Sequence, residues 1–327
     1  MLAAYAAKTD PRDPLSGLVV GDRPEPNTPA GWVRVRVVTA ALNHHDLWSL
    51  RGVGLPADRL PMILGCDAAG IDPDGNEVIV HAVIGSADRF GDETLDPARS
   101  LLSERYPGTL AEVVAVPARN LVSKPAGMAW QTAACLPTCW LTAYRMLFTQ
   151  AQARPGQTVL VQGAGGGVST ALVQLGARAG LRVWVTSRSA DRAERALGLG
   201  ADAVFEAGER LPERVDAVMD SVGAATWSHS LKSLRPGGAL VLCGATSGAE
   251  PERAELTRVF FTGLRVLGTT MGTRAELAAV TAMVARTGLE PVVDRVVGLA
   301  DVRDGLAAMA AGETFGKVVT AVSPEQP

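Results

Sequence analysis

The stretch between residues 158 and 270 constrains the fold more than any other part of this 327-residue chain. Strand-like TVLVQ (158–162) runs into the turn Gly163-Ala164-Gly165-Gly166-Gly167-Val168-Ser169. That turn opens a helical pattern with Val168, Ala171, Leu172 and Leu175 on one face. RVWVT (182–186), DAVF (202–205), VDAVMD (215–220), ALVLCG (239–244) and LRVLGTT (264–270) follow, with helix-like spacers between them. Strands alternating with helices predict a parallel, doubly wound α/β sheet.

A glycine-rich turn between a strand and a helix lets backbone N–H groups approach a pyrophosphate at the positive helix end. The turn is not a strict GxGxxG, since Val168 fills the sixth position, and alone it is a weak motif. Its place after a strand and before a helix makes Gly165, Gly166, Gly167 and Val168 a predicted dinucleotide site. The end of the second strand selects the cofactor, because an NAD site wants a carboxylate there. This chain offers Thr186-Ser187-Arg188-Ser189, with Asp191 and Arg192 beyond. Ser187, Arg188 and Arg192 suit a 2′-phosphate and point to NADPH. The bland reading of both arginines is solvated surface charge.

Elsewhere the periodicity changes. GWVRVRVV (31–38), EVIVHAV (77–83) and AEVVAVP (111–117) read as strands parted by Gly and Pro, so the first third is mainly β. Residues 85–108 are polar, loop-like and free of cysteine. After residue 274 two helical stretches flank PVVDRVV (291–297), and FGKVVTAV (315–322) follows. The length suits two domains. A net charge of -3 and a pI near 5.9 argue against a general nucleic-acid or membrane-surface binder. Four cysteines are no disulfide framework, so reduced thiols and a cytoplasmic location are expected. MLAAYAAKTD lacks the basic region of a signal peptide. The longest uncharged stretch, 125–144, holds Pro137 and three threonines and reads as a buried junction, not a membrane span.

ALNHHDLW (41–48) gathers two of the four histidines beside Asn43 and Asp46. With ILGCDAAG (63–70), LTAYRML (141–147), the glycine turn, RPGGALVLCG (235–244) and FGKVV, it makes the chain resemble the medium-chain dehydrogenase/reductase superfamily, in particular its zinc-free quinone oxidoreductase-like branch. The resemblance implies a GroES-like, mainly β substrate domain over 1–122, a Rossmann domain over 123–270, and a return to the substrate domain over 271–327. It also implies a cleft between the domains and a homodimer paired through the last strand of the nucleotide sheet. In zinc-dependent relatives three ligand positions match Asn43, Cys66 and Thr138, of which Cys66 alone binds zinc strongly. A non-standard site from His44, His45, Cys66 and Asp67 or Cys139 is awkward, because adjacent residues project apart.

The expected activity is therefore metal-independent hydride transfer from NADPH to a quinone or α,β-unsaturated carbonyl, needing only hydrogen-bond donors for the developing oxyanion. The resemblance assigns Asn43 and His45 to substrate contact or proton transfer, Trp48 and Cys66 to the cleft wall, and faces Asp67 to the cleft, to orient His45 or pair with a basic side chain whose identity stays open. Trp48 stands where many relatives have a tyrosine, and its indole N–H gives up no proton. His44, Thr142, Val222, Gly244, Ala245, Phe315 and Lys317 are implied cofactor contacts. Packing is the bland reading of Trp48 and Cys66, and of Cys135 and Cys139. The rivals are a zinc-dependent alcohol dehydrogenase with unusual ligands and a low-turnover NADPH-binding redox sensor.

Overall fold

The computed structural model describes residues 1–323. The chain divides into two compact units, Met1–Cys139 with Gly272–Pro327, and Trp140–Met271.

The second unit is the doubly wound sheet expected from the alternation. Its six parallel strands run, in chain order, Thr158–Val161, Arg182–Ser187, Ala203–Glu206, Val215–Asp220, Leu234–Leu242 and Arg265–Gly268. In space they lie third, second, first, fourth, fifth, sixth, the Rossmann order. The central strands read as unbroken apolar runs because helices cover both faces. Val159, Leu160 and Val161 are all buried, as are Val183, Trp184 and Val185. Helix Gly167–Arg178 seals one face with Ala171, Leu172, Val173 and Leu175. At the sixth-strand edge, Phe260 and Phe261 of helix Leu256–Phe261 are 71% and 82% exposed.

The first unit is mainly β. Strand Trp32–Ala41 is its spine, pairing with Asp67–Ile71, Val113–Pro117 and Lys317–Ala321, all antiparallel. Ala41 stands opposite both Asp67 and Val319. One pleat further on, that register brings Asn43, Asp67 and Lys317 to the same end of three adjoining strands.

The polar 85–108 segment folds back onto this unit. Glu93 lies 3.2 Å from His81 Nε2 and accepts the backbone N–H of Arg274 at the start of helix Arg274–Thr287. Burial opposes ionisation of Glu93, but His81 and the Arg274 N–H outweigh it and hold its carboxyl down at about 2. Among the described residues no helix is long and apolar enough to cross a membrane.

Candidate active site

In the first unit the site grows from the start of helix His44–Leu50. Asn43 is its N-cap, and its backbone N–H donates to Asp46 Oδ2 at 2.8 Å. Asp46 Oδ1 accepts from the Gly65 N–H at 3.0 Å, tying the helix start to the strand that leads into Cys66 and Asp67. Burial raises the Asp46 pKa, against His45 and the Asn43 N–H. Asp46 is thus structural.

Behind this cap sits a buried ionic cluster. The Lys317 ammonium donates to Leu42 O at 2.8 Å, Asn43 Oδ1 at 2.6 Å and Asp67 Oδ2 at 3.0 Å, with Cys139 Sγ at 3.7 Å. Three hydrogens meet three oxygens, so the ammonium is satisfied. Asn43 Nδ2 donates to Asp67 Oδ2 at 2.9 Å and Ala41 O at 3.3 Å, and its Oδ1 also accepts from Cys139 Sγ. Thr138 Oγ1, carried by the wide π-helical turn Leu136–Trp140, donates to Asp67 Oδ1 at 2.5 Å. Burial pulls the Lys317 pKa down, but the Asp67 carboxylate at 3.0 Å pushes it further up, and the net direction is upward. The amine is an ammonium at neutral pH.

This geometry corrects several expectations. Asn43 is buried and both ends of its amide are engaged, so it holds Asp67 and Lys317 in place with nothing left for substrate. Asp67 is fully buried, and of its two expected parts it takes the pairing with a basic side chain, Lys317. Lys317 turns inward to its three oxygens, not outward to a cofactor, and Phe315 is buried in the core two residues earlier. A charged amine in an apolar interior follows its acceptors, and these lie inward. Cys66 is buried, its Sγ donating to Leu102 O at 3.2 Å. Burial, then Asp46 and Asp67, raise its pKa well above the thiol range.

The two histidines keep access to solvent. His44 is exposed on the first helical turn. Crowding by surrounding atoms, then the Lys317 and Arg51 charges, lower its pKa and keep it neutral at pH 7. His45 is half-buried, with Nε2 3.2 Å from Ser103 Oγ and 3.5 Å from Ser49 Oγ. Trp48 is half-buried, and the Arg51 guanidinium lies 4.9 Å from its ring centroid.

These donors do not fit a catalytic zinc. Such a site needs about three inward N, S or carboxylate ligands, with cysteines as thiolates. Cys66 Sγ is turned to Leu102 O, Cys139 Sγ to Asn43 Oδ1, and the Asp67 carboxylate faces a fixed ammonium. Among the described residues no group of three or more His, Cys, Asp or Glu side chains is arranged to hold a metal ion.

In the second unit the glycine turn has the form a pyrophosphate needs. Gly163 takes φ 84°, and helix Gly167–Arg178 starts from Gly166. A Cβ at Gly165 would come within 2.8 Å of the Arg192 guanidinium, so a larger residue there would displace that charge from the turn. Ser187 Oγ donates to Ser189 O, whose own hydroxyl caps the helix carrying Arg192. Arg188 is exposed. No carboxylate stands among residues 186–189, so the residues present fit a phosphorylated ribose.

A polar network beneath this turn went unseen in the sequence reading. Thr186 Oγ1 accepts from the Gly163 N–H and donates to Gln162 Oε1. Gln162 Nε2 donates to Ser230 Oγ, which donates to Asp220 Oδ2. Asp220 Oδ1 accepts the N–H groups of Val222 and Gly223, fixing the turn after the fourth strand. The signal was the polar residue ending each mainly apolar strand, TVLVQ, RVWVT and VDAVMD. Thr142 is buried, Val222 and Ala245 are half-buried and Gly244 is exposed. Gly223 is packed tightly under Ala245, where a Cβ would meet it at 2.8 Å.

A Rossmann unit with a phosphate turn, in one chain with a β-unit bearing a His-His pair on a capped helix, defines a nicotinamide-dependent oxidoreductase. A family model described as zinc-binding dehydrogenase matches residues 167–286, and one described as alcohol dehydrogenase GroES-like domain matches residues 29–126. A solved NAD-dependent alcohol dehydrogenase superposes with a TM-score of 0.89 at 33% identity, over 99% of this chain and 100% of that one. The cobalt- and zinc-bound thermostable alcohol dehydrogenase of Pyrobaculum aerophilum gives 0.88 at 30%, over 98% and 99%. The acryloyl-coenzyme A reductase of Metallosphaera sedula is 29% identical over 322 residues, 93% of this chain and 96% of that protein. The chain belongs to the medium-chain dehydrogenase/reductase superfamily.

Proposed function

We propose that this protein is an NADPH-dependent reductase of α,β-unsaturated carbonyl compounds, acyl-CoA thioesters foremost and quinones as a related class, acting without a metal. The carrying observation is the Lys317 ammonium, buried between Asn43 and Asp67. It makes a resident cation of the place where a metal would need negative ligands. The substrate class is supported by the relatives called acryloyl-coenzyme A and crotonyl-CoA reductases. We further propose that the Met1–Cys139 unit with its C-terminal return holds the substrate and the Trp140–Met271 unit the nucleotide.

The nicotinamide, when bound, supplies the hydride that the conjugated carbon accepts. The chain's own part is to stabilise the charge that develops on the carbonyl oxygen. His45 is the donor suited to it, being half-buried, anchored at Nε2 and carried on a capped helix. The α-carbon takes its proton from solvent. Lys317, Asn43 and Asp67 hold the His45 helix against the sheet end, and Trp48 offers an apolar surface beside it.

The reading is tested by following NADPH loss with crotonyl-CoA, acryloyl-CoA and a benzoquinone, together with the metal content of the active protein. Turnover is expected with at least one acceptor at sub-stoichiometric zinc. Alcohol oxidation that tracks one zinc per chain would instead establish the alcohol dehydrogenase reading, which the solved relatives favour by name. His45→Ala should lower kcat about 100-fold, as loss of one oxyanion donor does, with NADPH affinity unchanged. An unaltered kcat removes His45 from the mechanism.

The exposed Phe260 and Phe261 beside the unpaired edge Arg265–Gly268 support a homodimer built on that edge. Light scattering should give twice the 34.0 kDa chain mass, and a Val266→Lys variant should give the single mass. A wild-type protein at the single mass at micromolar concentration rejects the dimer.

A further inference from the structure

Ser103 holds the inner end of the His45 hydrogen bond, and it does so from a strained position. Its φ is 68°, in the left-handed region, and it is fully buried. A residue with a Cβ there costs on the order of 1 kcal/mol, and nothing in a four-residue turn requires a serine in place of glycine. The turn itself closes through the backbone, with the Ser103 N–H donating to Tyr106 O at 2.8 Å. The hydroxyl is what the serine adds.

That hydroxyl has two acceptors within reach. His45 Nε2 lies at 3.2 Å and Cys66 Sγ at 3.8 Å. The Cys66 hydrogen is already committed to Leu102 O at 3.2 Å. An imidazole nitrogen at 3.2 Å is a far better acceptor than a thiol sulfur at 3.8 Å, and a fully buried O–H does not forgo the better one. With Nε2 bare, the Ser103 O–H donates to it, and the Ser49 hydroxyl stands 3.5 Å from the same nitrogen. A ring nitrogen that accepts carries no proton, so neutral His45 has its hydrogen on Nδ1. Nδ1 has no hydrogen bond within the described residues, and it is not among the buried unpartnered atoms, so it opens to solvent.

We propose that Ser103 is a positioning residue that locks His45 in the Nδ1–H tautomer and so presents a fixed N–H donor to the substrate carbonyl oxygen. The proposal rests on the reading of His45 as the oxyanion donor given above. It explains why the turn keeps a strained serine, and it assigns the 85–108 segment a part in the site. With Nε2 protonated instead, the open edge of the ring would offer a lone pair and repel the developing oxyanion.

The test is nitrogen-15 NMR of histidine-labelled protein, where four histidines keep the ring signals few. The His45 signals are identified by their loss in His45→Ala. In the wild type, His45 should show a protonated Nδ1 and a bare Nε2. In Ser103→Gly and Ser103→Ala the balance should move towards Nε2–H. Ser103→Gly should leave Tm within about 2 °C, because glycine relieves the left-handed strain while loosening the unfolded chain. Its kcat should fall about tenfold with little change in KM. A wild-type His45 protonated at Nε2, or a tautomer balance that neither variant alters, overturns the proposal. A tautomer shift with unchanged kcat upholds Ser103 as the lock and removes His45 as the oxyanion donor, so the two failures are distinguishable.

Discussion

Replacing Lys317 by methionine is expected to destabilise the protein by about 3–5 kcal/mol, the cost of leaving a buried partner charge uncompensated. Asp67 is that partner. It is wholly buried and would keep only Asn43 Nδ2 and Thr138 Oγ1 as side-chain donors. At roughly 2–4 °C per kcal/mol for a unit of this size, Tm should drop by about 6–20 °C. The double variant Lys317→Met/Asp67→Asn should recover most of the loss, because it removes the orphaned charge. Calorimetry of the three proteins checks this, and a single variant within about 2 °C of wild type would sink the account. The sign with pH is fixed by the raised lysine pKa. The stabilisation is fully present below the ordinary lysine value and is lost only as pH rises through the higher folded value. Neutral and mildly acidic buffers should therefore show the full effect.

Arg192→Ala is expected to weaken NADPH binding about 10–100-fold and NADH binding by less than about threefold. A charge-assisted hydrogen bond is worth about 1.5–3 kcal/mol, and each 1.4 kcal/mol is tenfold. The Arg192 guanidinium lies against Gly165 in the phosphate turn, whereas Arg188 is exposed at the strand end. Arg188→Ala alone should therefore have the smaller effect. Fluorescence titration with both nucleotides separates the cases. Equal losses for NADPH and NADH would place Arg192 on the shared pyrophosphate and withdraw the NADPH assignment.

Much of the architecture was legible in the residues themselves. Apolar runs of four to six residues spaced by helical stretches leave few alternatives to a parallel sheet, since each run must be buried on both faces. TVLVQGAGGGVS likewise declared its strand, turn and helix, because glycine at 163 and 165 answers to local geometry and close approach. Local rules of this kind act over a few residues, and a sequence displays them directly.

The candidate site was legible only in part. ALNHHDLW drew attention to its two histidines, but that they ride on a helix whose start Asn43 and Asp46 close was not visible in it. The roles of Asn43 and Lys317, and the partner of Asp67, were not readable. Lys317 is 250 positions from Asp67, and its direction depends on a strand register that sets Val319 and Asp67 against Ala41. A one-residue slip would turn its side chain to the opposite face. Ser103 gave no signal in a polar loop, since its meaning lies in a left-handed φ and in the histidine it meets 58 positions away. The sequence by itself determined the doubly wound sheet and the phosphate turn, because each follows from local periodicity and backbone sterics. Only the tertiary structure decided that a lysine ammonium lies among the candidate ligand side chains and that a serine faces His45. Burial and strand register choose hydrogen-bond partners across hundreds of residues.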